Sequence, residues 1–223
     1  ANAAQHRFTS IVSALNGTAA GRGLFAGAAS DSLAVAPAET MLNALRAETA
    51  SATTATEFAT LIDAWFAPGG GFDSVGYQGA NTPLGAIRLG HNEPLTLDVK
   101  ANDSRLRATL AAAATLALSG PASNALARDE IENLILSTTQ TMAAANDGLT
   151  SLRSELGFAE ARIEDHKTRL AAESTSLDYA RGTLLSIDPY EHASRLEQAE
   201  FQLESLYALT VRLSRLSLVE YLK

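Results

Sequence analysis

The chain has 223 residues, a formal net charge of −8 and no cysteine. Without cysteine it can form no disulfide, use no thiolate nucleophile and build no cysteine-ligated zinc site. Its acidic balance, with no run of five like charges and no apolar stretch near the roughly 20 residues of a membrane span, argues against nucleic-acid and membrane partners.

The apolar residues favour helices over a β-sandwich. Hydrophobic residues make up 46% of the chain but aromatic residues only 6%, and much of the apolar content is Ala and Leu. Such a composition is typical of close-packed helices. We therefore expect a mainly α fold.

Three helices are predicted in the first third of the chain. Apolar residues at helical spacing mark the first over 5–16, and the Asn-Gly pair at its end is a typical helix stop. Two shorter helices are predicted over 37–49 and 55–66, and we expect Trp65 and Phe66 to anchor the core of a small domain.

The pattern changes from helical to alternating over 72–101. Ile87 and Leu89 share one face, and Leu95, Leu97 and Val99 share another, with the loop GHNEP between the two groups. This alternation predicts a β-hairpin with one buried face, packed on neighbouring helices. Another helix is predicted over 103–118.

A long heptad pattern dominates the second half of the chain. From Leu149 onward apolar residues recur at alternating steps of three and four, which is the a and d pattern of a coiled coil. Over 149–186 such a helix spans about 57 Å at 1.5 Å per residue and needs a partner along its length. The predicted rod seam consists of Leu149, Leu152, Leu156, Ile163, Leu170, Leu177 and Leu184.

Two polar residues, His166 and Glu173, interrupt this seam. They could pair with polar groups of a neighbour and fix the register. Alternatively the seam is loose and wet at these positions, and this simpler interpretation is our expectation.

A second helix is predicted from Pro189 to the C-terminus. Asp188 is a suitable N-cap, Pro189 suits the first helical position, and Glu191 stands at the third position, as in a capping box. From Leu206 the helix is apolar nearly all round, so it should be buried by other subunits. The predicted assembly residues are Leu196, Leu203, Leu206, Leu209, Leu213, Leu216 and Leu222.

No motif in the chain indicates catalysis. The glycines of GRGLFAGAASD at 21–31 do not follow G-x-G-x-x-G, no GK[ST] follows, and G-x-S-x-G is absent. The four histidines are scattered as His6, His91, His166 and His192. We expect no catalytic residue, no cofactor and no metal; an enzyme would need a deep polar pocket near Arg22 or His91.

Four segments resemble the flagellin family and its hook-associated relatives. LNGTAAGRGLFAGAASDS at 15–32 resembles the turn that carries LFAG or LFSG in that family, and YQGA at 77–80 is similar to its hook–filament junction member. SLRSELGFAEARIED at 151–165 resembles the rod helix. Residues 188–222 look like the terminal helix.

The resemblance implies a fold and a division of the chain. It implies a remnant of an N-terminal rod helix over 1–20, a small α/β outer domain over 21–122, a long C-terminal rod helix over 123–187, and an assembly helix over 188–223. It also implies that an N-terminal region with the export signal and half of the coiled coil is missing. We expect the open apolar seams to self-associate.

The resemblance further implies a structural role for the glycine-rich turn. Gly21 and Gly23 would let the chain leave a helix and turn. Leu24 and Phe25 would pack against the rod, and Gly27 would allow close backbone approach. No ligand is implied there.

The function implied is structural and not enzymatic. The chain resembles an exported, extracellular subunit of the bacterial flagellum whose partners are flagellin and hook-associated proteins. LFAG, YQG and the short outer domain favour the hook–filament junction subunit over a filament flagellin. The rival outside this family is a helical adaptor or secretion-linked coiled-coil protein, which a terminal helix folded back on the rod would support.

Overall fold

The structure is a computed structural model that describes residues 2–90, 93–120, 124–186 and 188–215. Within these residues the chain is mainly α-helical, as the composition predicts, and it has two small antiparallel hairpins. The helices are α1 (Asn2–Leu15), α2 (Ala38–Thr49), α3 (Ala55–Phe66), α4 (Ser104–Leu118), α5 (Arg128–Leu185) and α6 (Pro189–Arg215). The strands are β1 (Thr18–Ala19), β2 (Arg22–Gly23), β3 (Ile87–Gly90) and β4 (Glu93–Leu95).

The chain divides into two compact units. The first spans Ala1–His166 and the second Lys167–Lys223. The boundary falls inside α5, which begins in the first unit and ends in the second. The four-part division drawn from the resemblance stays a prediction.

The first unit is built around α4. This alanine-rich helix buries eleven of its fifteen residues. A helix that is apolar on nearly every side is stable only when other elements surround it. The core that α4 shares with α1, α2, α3 and the start of α5 includes Phe8, Met41, Phe58, Leu110 and Leu134, each with no exposed surface.

An aromatic cluster closes the core beside the end of α3. Trp65 and Phe66 pack edge to face with ring centroids 4.7 Å apart, and Phe72 lies 5.3 Å from Phe66. Trp65 is 5% exposed and Phe66 4%. The prediction that these two residues anchor the core is confirmed.

A buried cation, Arg107 of α4, binds the loops around this cluster. Its guanidinium donates to the carbonyl oxygens of Asn102 at 2.9 Å and Phe66 at 3.2 Å, and forms an ion pair with Asp73. It also stands over the Phe72 ring, 5.0 Å from its centroid. Because every one of these contacts satisfies a donor or a charge, the cation is retained in an otherwise apolar region.

Asp73 titrates below its ordinary range. Burial on its own raises the pKa of this carboxyl, but a hydrogen bond from the Gly69 amide at 2.6 Å and the Arg107 ion pair outweigh burial and lower the pKa. The ionised form of Asp73 is therefore stabilised by folding.

The first hairpin is a two-residue turn. β1 pairs with β2 through Thr18 opposite Gly23 and Ala19 opposite Arg22. The turn residues Ala20 and Gly21 have φ angles of 51° and 77°. Positive φ at both central positions is typical of a type I′ turn, which favours Asn or Gly and disfavours Ala.

The turn region that follows differs from expectation at one residue. Leu24 is 55% exposed, whereas the neighbouring Phe25 packs against the core, so the expected packing of Leu24 is wrong within this chain. Gly27 has a φ of 60°, and a Cβ atom there would lie 2.6 Å from the carbonyl oxygen of Ala80. The close approach of these backbones therefore requires glycine at this position.

The second hairpin is shorter and tighter than the alternation predicts. β3 pairs antiparallel with β4 through Ile87 opposite Leu95 and Arg88 opposite Pro94. Glu93 and Pro94 thus belong to the strand and not to the loop. Proline donates no ladder hydrogen bond, but it is accepted in a two-stranded sheet because both strands are edges. Leu95 is buried, whereas Ile87 is 43% exposed.

Two further parts of the 72–101 region are not strands. Phe72–Gly76 is a π-helical turn, and Leu97 and Val99 lie beyond the end of β4. Leu97 and Val99 instead lie in an irregular segment. The prediction that the second strand extends to these residues is therefore wrong.

Replacing Ala20 by asparagine should stabilise the protein. Asparagine tolerates the positive φ that alanine occupies at a cost, so we expect the Ala20→Asn variant to gain about 0.5–1 kcal/mol in free energy of unfolding. Urea unfolding followed by fluorescence of the single tryptophan measures this gain. Ala19→Asn, in the adjoining strand, serves as control, and an equal gain there would contradict the turn assignment.

Stability should also depend on pH through Asp73. A lowered folded pKa contributes stability that is complete above the ordinary carboxyl pKa of about 3.9 and is lost as the pH falls through the folded value. We expect Asp73→Asn to lower the urea midpoint at pH 7, and the difference from the parent protein to shrink in acid. The exposed Asp31→Asn variant is the control. A difference that stays constant down to acidic pH would refute this account.

Candidate assembly surface

Two lines of residues seven apart define one side of α5. The first, called here the leucine line, consists of Met142, Leu149, Leu156, Ile163, Leu170, Leu177 and Leu184. The second line consists of Thr138, Ala145, Leu152, Ala159, His166, Glu173 and Ala180. Together they form the a and d positions of a heptad pattern that continues through about six heptads.

The first unit covers this seam as far as His166. Thr138, Ala145, Leu152, Ala159 and His166 are all buried. The leucine line beside them is half-buried through Ile163. The predicted seam residues Leu149, Leu152, Leu156 and Ile163 therefore pack at least in part within the first unit.

Contacts from α3 and α4 fix α5 in place. Arg105 of α4 forms an ion pair with Glu155 at 2.6 Å, and the amide of Ala55 donates to Glu130 at 2.5 Å. A Cβ atom at Gly148 would lie 3.3 Å from the Arg105 side chain. Glycine at this position thus lets α5 lie close to Arg105.

The β3–β4 hairpin covers the last buried turn of the seam. Glu93 binds α5 with both carboxylate oxygens: Nη2 of Arg162 donates to Oε1 at 3.0 Å, and Nε2 of His166 lies 2.6 Å from Oε2. His166 is 6% exposed. The expectation of a loose, wet seam is wrong for His166, because the hairpin supplies a polar partner; Glu173 is exposed.

The two partners on α5 also change the acidity of Glu93. The hydrogen bonds from Arg162 and then from His166 lower the pKa of the Glu93 carboxyl. Arg162 and His166 are four residues apart, so a helix presents both on one face to a single carboxylate. The Glu93 carboxylate is thus bound by two side chains of α5.

In the second unit the leucine line is open. Leu170 is 53% exposed, Leu177 63% and Leu184 85%. The heptad pattern therefore continues into a part of α5 where the described residues leave these leucines uncovered. Large apolar side chains repeated along one side of a helix are typical of a surface that another helix covers.

α6 begins where the capping signals predict. Oδ1 of Asp188 accepts from the Tyr190 amide at 2.9 Å, and Pro189 is the first helical residue. Glu191 takes part in an ion pair with Arg195 at 2.6 Å, one turn further along the helix. The cap and the proline thus restart the helix after α5.

The predicted assembly residues on α6 are exposed in the single chain. Leu196, Leu203, Leu206, Leu209 and Leu213 are between 51% and 68% exposed. Phe201 is 72% exposed and Tyr207 67%. Leu216 and Leu222 lie outside the described residues. The apolar surface that the sequence predicts on α6 is therefore present and uncovered, and its role in assembly stays a prediction.

The rest of the described chain offers small open grooves. One of about 460 Å³ lies among α3, α4 and α5 and is lined mostly by Ala, Ser and Thr. Burial raises the pKa of Asp63 at its edge. Arg22 donates to the Ser30 hydroxyl at 3.2 Å, and His91 is outside the described residues.

The described residues contain neither a candidate metal site nor a candidate membrane span. No three His, Asp or Glu side chains come together there as a possible metal site. The described helices also include none with enough apolar length to cross a bilayer.

A segment within the C-terminal half of the chain matches a known family. Residues 139–222 match the bacterial flagellin C-terminal helical region. The comparison with curated proteins and the comparison with solved structures gave no match. The matched residues include most of α5 and all of α6, and they support a relation to the flagellins through these two helices.

The covered and open parts of the seam should respond differently to truncation. Leu152→Ala removes a side chain that is 5% exposed and should cost about 2–5 kcal/mol of unfolding free energy. Leu177→Ala makes the same change at an open position of the same helix and should cost less than about 0.5 kcal/mol. Urea unfolding of dilute protein, read by tryptophan fluorescence, compares the two. Equal losses would contradict the assignment of the open seam.

Proposed function

We propose that this protein is a structural subunit of the bacterial flagellum, with no catalytic role. The proposal rests on one observation: the family match and the exposed apolar residues lie in the same helices. The residues that match the flagellin C-terminal helical region, 139–222, contain the open part of the leucine line and the exposed apolar residues of α6. The resemblance and the uncovered surface thus point to the same helices.

Burial of these side chains supplies the driving force for assembly. Apolar area removed from water contributes about 25 cal/mol per Å², and α6 exposes a large apolar side chain on nearly every turn. Such an array is typical of a surface that becomes ordered and buried with its partner. We propose flagellin and hook-associated proteins as the partners, and an exported, extracellular location in the flagellum.

Within the flagellum we propose the junction between hook and filament as the place of this subunit. The segments that carry this finer resemblance, LFAG and YQGA, contact each other in the first unit. The Ala80 amide donates to the Ala26 carbonyl at 2.9 Å and joins the two segments; within YQGA, the Tyr77 hydroxyl donates to the Ala80 carbonyl at 2.7 Å. Their contact supports a shared structural role, and the short outer domain that the resemblance implies supports the same choice.

A filament flagellin is the second candidate. The matched helical region is described as that of bacterial flagellin, and its two helices are suited to either position in the flagellum. The two candidates differ in one physical respect: a filament subunit adds to its own kind without limit, whereas a junction subunit forms a layer of fixed thickness.

Growth on flagellin seeds tests the proposal. Purified protein is added to short filament seeds made from flagellin of the same organism, and electron microscopy follows seed length. We expect a thin layer at one end and no further growth. Continuous lengthening supports the filament candidate, and no binding to seeds or to isolated hooks contradicts the flagellar role.

Variants of α6 connect this assay to the exposed surface. Leu203→Glu and Leu206→Glu should abolish binding to seeds, because each places a charge in an apolar contact. Gln198→Glu changes charge on the same helix at a polar position and should bind normally. Loss of binding in the control alone would contradict the proposed contact surface.

A further inference from the structure

The β3–β4 hairpin has little apolar contact to hold it. Among its described residues only Leu95 is buried, while Ile87, Arg88 and Pro94 are exposed. Leu95 and the Ala159 side chain of α5 are both buried, yet neither belongs to the continuous apolar core of the first unit. Leu95 and Ala159 line one small groove, so the hairpin has little apolar contact with α5. A two-stranded hairpin also has little stability of its own.

One carboxylate fastens this hairpin to the helix. Glu93 is paired with both Arg162 and His166 of α5, at 3.0 and 2.6 Å. Beside it, a Cβ atom at Gly90 would lie 3.6 Å from the His166 ring. The hairpin backbone and Glu93 thus both lie against the buried His166 ring.

We propose that the β3–β4 hairpin is a latch on α5, which Glu93 holds closed over the seam at Ala159 and His166. Its release opens these residues while the core around α4 stays folded. The open part of the leucine line starts at Leu170. Release at Ala159 and His166 therefore adds about one and a half heptads to the exposed seam. The latch itself is independent of the proposed function; only its effect on assembly rests on that proposal.

The independence of the latch follows from where its contacts lie. Two large residues of α5, Leu134 and Leu152, belong to the continuous apolar core of the first unit. The ion pairs of the hairpin lie beyond them, at Arg162 and His166, and Leu95 lines one groove with Ala159. Segments with few buried apolar contacts open locally at lower free energy than the core. Opening of the hairpin thus leaves the core contacts in place.

Cysteine accessibility measures the latch directly. The chain has no cysteine, so Ala159→Cys gives one thiol, at a buried position beside the groove that Leu95 lines. Its rate of reaction with a soluble maleimide reports how often the hairpin opens. Ala145→Cys places the same probe two heptads earlier, where the residue is 4% exposed and away from the hairpin. The full-length chain is used for both.

The deciding change is Glu93→Gln, which removes the charge and keeps the size. We expect the labelling rate of the Ala159→Cys probe to rise roughly five-fold or more. The reason is that the charge-assisted hydrogen bonds from Arg162 and His166 to residue 93 are weakened. The rate at the 145 probe should stay within two-fold. Asp98→Asn is the matched control: Asp98 pairs with Lys100 just after β4, at 2.6 Å, and should leave both rates unchanged.

Two results would overturn the latch. An unchanged rate at the 159 probe means that Glu93 does not hold the hairpin. An equal rise at the 145 probe means that the variant loosens the whole unit and not the hairpin alone.

Sedimentation velocity then tests the consequence for assembly. With a longer open seam, Glu93→Gln should self-associate at lower protein concentration than the parent chain or Asp98→Asn. Faster labelling without stronger association would support the latch and contradict its link to assembly. Because labelling is measured on the unassembled chain, failure of the flagellar role leaves that result unchanged.

Discussion

The strict seven-residue repeat of α5 is the constraint on which the rest of the structure depends. A straight α-helix drifts by about 20° per heptad from such a repeat, so the apolar lines wind around the helix unless it supercoils with a partner. The first unit satisfies this demand as far as His166, the last buried residue of the seam. Beyond that point Leu170, Leu177 and Leu184 remain open. The apolar seam of α5 is therefore covered in the first unit and exposed in the second.

The helices could be predicted because each carries its own periodicity and end signals. The pattern at 5–16, the paired short helices at 37–49 and 55–66, and the break before Pro189 all depend on neighbouring residues. Local rules of this kind hold wherever the apolar face is buried on one side. The hairpin was placed correctly for the same reason, although its loop and second strand were not, since a proline in a strand contradicts the usual preference.

The contacts that organise the first unit could not be predicted, because they join residues far apart in the chain. Glu93 meets His166 across 73 positions, and Arg107 meets Asp73 across 34. A single sequence gives no measure of such distances. One local signal was available: Arg162 and His166 are four residues apart, and this spacing places them on one face of a helix. It shows that two donors can act together but not which carboxylate they bind.

The burial of α4 also constrains how this protein can change over evolution. Alanine is the best helix former and the smallest side chain that favours a helix, so its replacement by glycine weakens the helix and its replacement by a larger residue overpacks the core. Ala111, Ala113, Ala114 and Ala117 are all nearly inaccessible. At these positions both glycine and larger residues lower stability, whereas the solvent-facing positions of α2 and α3 accept many residue types. Sequence divergence among proteins of this architecture should therefore leave α4 as a small-residue helix while its surroundings vary.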